Sequence, residues 1–245
     1  GLKTTSWGTT LFLLASTYDQ DMHANPNNPS ATNGTDQAWG GNRARPDLVK
    51  KFFPNGNVPN LESYATAEAA GDDRALFNGV NRTLDNEDVS TFKSGFGVAK
   101  FTNFKTDGSA GHDATFPDAD FFLMRAAEAY LNFAEADARI NGGQTTAEGT
   151  EAINAIRKRA NASTREDKGY TLSDICDEWS REFYFEGRRR MDLIRFNRYG
   201  GNVNYNWQWK GGTKEGRNFS KDLNIFAIPT NELTSNKNLT QNPGY

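Results

Sequence analysis

The stretch Ser180–Phe196, with the sequence SREFYFEGRRRMDLIRF, decides the fold of this chain. Charged and apolar side chains alternate along it, and Glu182 and Glu186 stand four residues apart, on one face of a helix. Arginines follow at positions 188, 189 and 190. Charges set this closely among apolar residues either face water or neutralise one another in a partly buried network. The apolar content of the stretch favours the network, in which neighbouring arginines keep both glutamates ionised.

The region 118–199, which contains this stretch, has the pattern of a helical scaffold. Apolar residues recur at helical spacing through 120–140, which predicts one long helix. Thr145 and Glu148 have the spacing of a capping box at the start of a second helix. Two such helices form a hairpin of tetratricopeptide size. Since one hairpin cannot bury both of its faces, we expect further helices to stack on it.

Two more helices are predicted after this hairpin. Thr171 and Asp174 have capping-box spacing at the start of the third, and Trp179 falls at a core position on it. Trp179 is therefore expected to be structural. Gly187 predicts a break before a fourth helix that runs to Tyr199.

The regions on either side, 1–117 and 200–245, are predicted to be rich in loops. In the first, Leu11–Ala15 has the pattern of a strand or of one buried turn. A helix is predicted to begin near Pro46, because proline suits the first helical turn. The loose alternation of Phe92–Phe104 favours paired strands. The second region is expected to be loop followed by an extended C-terminal tail.

Composition excludes several classes of protein. The 245 residues carry a formal net charge of −3, which gives no electrostatic reason to expect a nucleic acid as partner. Cys176 is the only cysteine, so neither an intrachain disulfide nor a thiolate metal cluster can form. No apolar run approaches ~18 residues, and the sequence therefore predicts no membrane-spanning helix.

Three ordered elements near the end of the chain resemble the signature of the SusD/RagB family. These are surface lipoproteins that capture nutrients for an outer-membrane transporter. The elements are a glutamate-rich helix with a following E-G-x-R-x-x-D-L-x-R segment, an I-P-x-x-E-L segment and a terminal Q-N-P-G-Y. Here they are Glu178, Glu182, Glu186-Gly187, Arg189, Asp192-Leu193 and Arg195; Ile228-Pro229 and Glu232-Leu233; and Gln241-Asn242-Pro243-Gly244-Tyr245.

The resemblance implies a mainly α, SusD-like fold, in which tetratricopeptide-like helical hairpins pack with a large loop-rich region and a few short strands. All three regions would be parts of one SusD-like C-terminal domain: a ligand-facing 1–117, the scaffold 118–199 and the tail 200–245. The parent protein would be longer, with a lipid anchor outside this chain that holds it on the extracellular face of the outer membrane. Its partner would be a SusC-like TonB-dependent transporter.

Catalysis and metal binding find little support in the sequence. His23 and His112 lie in polar loops without a nucleophile motif nearby. Glu182 and Glu186 have the spacing of a glycosidase pair, but ion pairing with arginine would oppose the raised pKa that a general acid needs. We expect no cofactor. The only candidate for a cation is the alternating set Asp19, Asp21, His23 and Asn25, which lacks the glycine and the closing glutamate of a calcium loop.

Aromatic side chains in polar loops are the candidate ligand contacts. Sugar rings present apolar C–H faces that stack on aromatic rings, while polar neighbours take the hydroxyls. The resemblance implies a shallow arc of such aromatics. Two groups fit: Tyr18 with Asp19 and Asp21, and Trp39 with Asn42 and Arg43. Trp207 and Trp209 are an alternative, on one face with Tyr205 if Asn202–Trp209 is extended, and Trp7 is a further one.

The leading hypothesis is non-catalytic binding of an oligosaccharide at the cell surface, for delivery to the transporter. The first alternative is RagB-like capture of a peptide, which would favour apolar pockets over exposed rings. The second is a helical scaffold that docks a partner protein. A glycosidase that depends on Glu186 is the remaining alternative.

Overall fold

The computed structural model describes residues 10–23, 33–117, 119–201 and 203–245. The chain divides into two units, Gly1–Glu186 and Gly187–Tyr245. The boundary falls at Gly187, where the sequence predicts a break between helices. Gly187 has φ +75°, a conformation that favours glycine.

Most regular structure in the described residues is helical, with two short strands, which confirms the mainly α expectation. The first unit contains α1 (Leu11–Ala15), α2 (Gln20–His23), α3 (Pro46–Lys50), α4 (Ser63–Ala70), α5 (Ala126–Ile140), α6 (Ala147–Arg159) and α7 (Leu172–Phe183). Its strands β1 (Phe77–Asn78) and β2 (Gly97–Val98) pair antiparallel, with Phe77 opposite Val98. The second unit contains α8 (Arg189–Arg195), α9 (Thr230–Ser235) and 3-10 helices at Lys210–Gly212 and Lys221–Asn224.

Helices α5, α6 and α7 form the scaffold. Each buries one face, with Leu131, Ile153 and Trp179 fully enclosed, and α5 contacts both α6 and α7. Small residues on α5, such as Ala134 and Ala138, are also fully buried and allow close helix approach. The predicted hairpin of tetratricopeptide type is therefore present.

The two predicted capping boxes have opposite outcomes. At α7 the box is present: Thr171 caps the helix and accepts from the amide of Asp174. At α6 the prediction is wrong, because the helix begins one residue later, after Thr146. Thr145 is buried instead, where its Oγ1 accepts from the amide of Tyr170 at 2.8 Å and bonds Thr150 Oγ1 at 2.7 Å.

A second core lies mainly within the region 1–117, which the sequence predicts to be rich in loops. It gathers buried side chains from α3, α4 and both strands: Ala44, Val49, Phe52, Phe53, Ala67, Ala75, Phe77, Phe96, Val98 and Tyr184. Phe52 meets Phe77 edge to face, with ring centroids 5.5 Å apart. The segment Phe92–Phe104 contributes only Gly97–Val98 as strand, so its predicted pairing is much shorter than expected.

The lengths of the helices bear on membrane insertion. Across the described ranges the longest helix, α5, has 15 residues, and none has the length and apolar character of a bilayer span.

Candidate functional site

Glu182, at the centre of the glutamate signature, is a buried carboxylate in an ion-pair network. It is 3% exposed. Its Oε1 lies 2.7 Å from Arg125, and its Oε2 lies 2.6 Å from Arg159 and 3.0 Å from Arg74. Glu178, one helical turn earlier, is 1% exposed and also pairs with Arg74, at 2.8 Å. One arginine thus bridges two carboxylates of α7.

The remaining partners extend the network to other elements of the first unit. Glu178 also pairs with Arg157 of α6 and with Arg181 of its own helix, each at 2.7 Å. Glu186 pairs with Arg125 at 2.8 Å and with Lys100. Burial lowers the pKa of Lys100 to about 8, against the opposing effect of Glu186. Except for Arg181, the neutralising cations therefore come from sequence-distant elements, which adjacency in the sequence could not reveal.

The charge state of Glu182 argues against a role as general acid. Burial disfavours the charged carboxylate, but hydrogen bonds from Arg159 and Arg125 outweigh that effect and lower its pKa to about 2. A general acid at neutral pH needs the opposite shift. The network therefore braces α7 against α5, α6 and the loop that carries Arg74.

Trp39 is the exposed aromatic residue of the candidate site. Its side chain is 46% exposed. Four backbone hydrogen bonds anchor the segment 39–42 to the end of α1: the amides of Trp39, Gly40, Gly41 and Asn42 donate to carbonyls of residues 15–18 at 2.7–2.8 Å. Gly40 has φ +62°, which favours glycine and allows this turn. A half-exposed indole is thus held on a fixed backbone.

Polar groups that sequence reasoning did not single out lie beside this indole. Trp39 Nε1 donates to Gln37 Oε1 at 3.4 Å, and Gln37 Nε2 donates to Asp36 Oδ1 at 3.0 Å. Thr115 Oγ1, from another loop, donates to Asp36 Oδ2 at 2.6 Å. The sequence could have indicated Asp36 and Gln37, because they precede the tryptophan in a polar loop.

A second loop lies beside Gly40, the residue that follows Trp39. A side chain at the adjacent Gly40 would lie 3.4 Å from Phe92 Cβ. The loop that includes Phe92 therefore borders the same surface. Trp39 thus offers a half-exposed ring with the carboxylate of Asp36, the amide of Gln37 and the hydroxyl of Thr115 close by. This arrangement suits a ligand with alternating apolar faces and hydroxyls.

The predicted polar partners are mostly engaged within the protein. Asp19 pairs with Arg82 at 2.7 Å. Asp21, 65% exposed, pairs with Lys93, whose hydrogen bond lowers the pKa of that carboxyl. Asn42 Nδ2 donates to Ser16 Oγ at 3.0 Å.

Arg43 directs its guanidinium at backbone carbonyls. Its Nη1 donates to Asp88 O at 3.4 Å and to Thr91 O, and its Nη2 donates to Val89 O at 3.5 Å.

Tyr18 does not offer a ring face. It is 3% exposed, and burial raises its pKa well above the usual range. The expectation of an exposed ring at Tyr18 is therefore wrong. Its backbone carbonyl instead helps to anchor the segment 39–42, because it accepts a hydrogen bond from the amide of Gly40 at 2.8 Å.

Trp207 and Trp209, in the second unit, are not on the extended strand expected for this segment: Trp207 lies in irregular structure and Trp209 in a turn. Trp209 has φ +68°. Trp207 is half-buried and stacks on Tyr199, with ring centroids 6.2 Å apart. The ammonium of the buried Lys210 lies 4.8 Å from its centroid. The ring of Trp207 is thus engaged in contacts within the protein. Trp7 lies outside the described residues.

The cation candidate is not assembled as the sequence suggests. Asp19 and Asp21 are each paired with a basic side chain, as described above. His23 ends α2, and Asn25 falls outside the described residues. Within the described ranges no group of three or more histidine, cysteine, aspartate or glutamate residues is arranged to hold a metal ion.

Comparison with known proteins places these features in a family. A family model described as the SusD family matches residues 62–245. Over its whole length the chain is 36% identical to the starch-binding protein SusD of Bacteroides thetaiotaomicron and spans 47% of that protein, about half its length.

Two solved structures resemble the fold. A SusD-like protein from Bacteroides fragilis aligns with 100% of this chain and 53% of its own, with a TM-score of 0.61 and 19% identity. A laminarin-binding SusD-like protein aligns with 86% of this chain and 40% of its own, with a TM-score of 0.50 and 22% identity. Together with the family model and the 36% identity, the three-element signature leads to one conclusion: the chain belongs to the SusD family.

Proposed function

We propose that this chain contributes to the non-catalytic binding of an oligosaccharide at the cell surface, with Trp39 as the stacking platform. The observation that carries the proposal is the half-exposed indole on a fixed backbone, with polar side chains beside it. An aromatic face that needs no ordering before contact binds a sugar ring at low entropic cost. The relative named as a starch-binding protein supports a glycan as the ligand class.

The polar groups around Trp39 support the same ligand. Asp36, Gln37 and Thr115 form a hydrogen-bonded series that ends at the indole. A sugar hydroxyl can join such a series as donor and acceptor at once. Asp19, Asp21, Asn42 and Arg43 shape the surrounding backbone, and Trp207 and Trp209 are secondary candidates.

The wider role follows from family membership. The full-length protein would be lipid-anchored at the extracellular face of the outer membrane and would deliver the oligosaccharide to a SusC-like TonB-dependent transporter. RagB-like capture of a peptide is disfavoured by the site, because an exposed ring beside hydroxyl and carboxylate groups is not an apolar peptide pocket.

Affinity gel electrophoresis of the full-length protein tests this function. Starch and laminarin, the glycans named for relatives, should each be tried, and we expect at least one to retard the wild-type protein. Trp39→Ala should weaken binding about 10-fold or more, since loss of a stacking contact of about 1.4 kcal/mol is tenfold in affinity. Phe12→Ala, which removes another exposed aromatic residue (56%), is the matched control. A folded wild-type protein that neither glycan retards contradicts the proposal.

Docking of a partner protein is a second candidate function, favoured by one observation. A short segment before α5 exposes four consecutive large apolar side chains, Phe121, Phe122, Leu123 and Met124, the last two 84% and 86% exposed. Apolar surface of this kind is typical of a docking site. Co-purification of the full-length protein with its barrel transporter, lost in Leu123→Ser/Met124→Ser while glycan binding persists, would support it. Retention of the transporter by that variant would contradict it.

A further inference from the structure

The loop Asp85–Phe92, which meets Gly40 next to Trp39 in the chain, is tied into a fixed shape by buried polar side chains. Asn86 is 7% exposed and donates from Nδ2 to Ala44 O and Ser94 O, both at 3.2 Å. Ser94 Oγ accepts the amide of Asp88 at 2.9 Å and donates to Asp85 O at 3.2 Å. Such bonds hold both ends of the loop.

At its C-terminal end the loop is joined to the base of the Trp39 site. Arg82, 5% exposed, donates to Phe92 O at 3.2 Å and to Asp19 Oδ1 at 2.7 Å. Its guanidinium carbon lies 4.8 Å from the centroid of the Phe92 ring. Phe92 in turn meets the backbone at Gly40, next to the indole.

The tip of the loop is held by Arg43. The tip residues 87–90 are exposed, and Val89 is the most exposed large apolar residue among them, at 83%. An exposed tip without internal core has no packing of its own to fix it. Arg43 reaches the carbonyls of residues 88, 89 and 91, and its planar set of donors matches three diverging acceptors in a way that a lysine cannot.

We propose that Arg43 is a positioning residue of the glycan site: it holds the tip of the loop Asp85–Phe92 as a second wall, so that Val89 contacts the sugar next to the one stacked on Trp39. The inference rests on the proposed function. Arg43 itself contacts the loop and not the sugar, which replaces the sequence expectation that it binds hydroxyls.

A double-mutant cycle in the full-length protein tests this role. The probe is maltoheptaose if starch retards the protein and laminariheptaose if laminarin does, with affinity measured by calorimetry. We expect Arg43→Gln to weaken binding roughly 5-fold to 10-fold, the range of one or two lost contacts. Replacing the tip by glycine (Asp88→Gly, Val89→Gly, Ser90→Gly) should weaken it by a similar factor.

The decisive measurement is Arg43→Gln in the glycine-tip background. If Arg43 acts through the loop, Arg43→Gln should change the glycan affinity of the glycine-tip variant by less than about 2-fold. If it binds sugar directly, the full effect persists and the inference is overturned. Arg43→Lys should behave like Arg43→Gln, and restored affinity in that variant would also overturn it.

Two further readouts separate the remaining outcomes. Arg139→Gln, the same change on α5, is the control and should leave affinity unchanged. A lower melting temperature for Arg43→Gln with unchanged affinity would mean a merely structural role and overturn the inference. If wild type binds and Trp39→Ala weakens binding while Arg43→Gln does not, the proposed function stands and only this inference fails. Wild type that binds neither glycan overturns both.

Discussion

The glutamate network and the Trp39 site use polar residues in opposite ways. In the network, Glu178 and Glu182 are buried, and their carboxylates pair with arginines of several elements. At the Trp39 site, Asn42 and Arg43 hold backbone and loops, and they leave an indole half exposed. The comparison teaches that the most recognisable part of this sequence stabilises the scaffold, whereas the candidate ligand contact lies in an inconspicuous loop.

The largest loss of stability is expected when one carboxylate of the network is removed. Glu182→Ala leaves Arg125, Arg159 and Arg74 without a shared partner, and loss of a buried ion-pair partner costs about 3–5 kcal/mol. Urea unfolding measures the free energy of unfolding. Glu151→Ala removes an exposed ion pair with Lys158 and should change it by less than about 0.5 kcal/mol. Equal effects of the two changes would contradict the network's role.

Trp179 of the scaffold and Trp39 of the candidate site allow the two regions to be compared with the same residue type. Trp179 is fully buried, and its Nε1 donates to Glu135 Oε2 at 3.0 Å. Trp179→Phe should therefore lower the free energy of unfolding by about 2–4 kcal/mol, through lost volume and a lost donor. Trp39→Phe should leave stability within about 0.5 kcal/mol while it weakens glycan binding. A similar stability loss for both would remove the distinction.

Acid should weaken the glutamate network. The pKa of Glu182 is lowered from 4.5 to about 2 in the folded state, so its stabilisation is present above pH 4.5 and is lost as pH falls towards 2. Between pH 6 and pH 3 this group alone should contribute a loss of about 2 kcal/mol. Unfolding measured across this range in wild type and in Glu182→Gln checks it. The variant should have the shallower pH dependence, and identical slopes would contradict the assignment.

The smallest effect is expected at Asp21. Its ion pair with Lys93 is largely exposed, so Asp21→Asn should change stability by less than about 0.5 kcal/mol. Its effect on glycan affinity sharpens the boundary of the site. Unchanged affinity would limit the site to Trp39 and its two loops, whereas a clear loss would extend it to α2, as the sequence suggested.

Much of the fold could be predicted from the spacing of apolar residues and from residues typical of helix ends. The spacing of apolar residues located α5 and α7, and the pair Thr171 and Asp174 located a helix start, because these features depend on residues close in the chain. The ionised state of Glu182 was predicted, but not Arg74 or Arg159 as its partners. Such partners meet only after the tertiary fold has formed, and no local pattern encodes them.

The site was predictable only in part. The sequence pointed to Trp39 because this aromatic residue lies in a polar loop with Asn42 and Arg43. The same reasoning failed for Tyr18, whose ring is enclosed by elements distant in the sequence. Trp207 was expected on an extended strand, but turns around it bring Tyr199 and Lys210 against its ring. Local composition indicates a loop, whereas the burial of one ring within it depends on the whole fold.

The anchoring of residues 39–42 on the end of α1 has a consequence for exchange with solvent. Amide protons at a molecular surface ordinarily exchange with deuterium within seconds, yet the amides of Gly40, Gly41 and Asn42 donate within the protein at 2.7–2.8 Å. Their exchange should therefore require local opening of this turn. A recognition surface whose amides are already protected without ligand would gain little further protection when a glycan arrives.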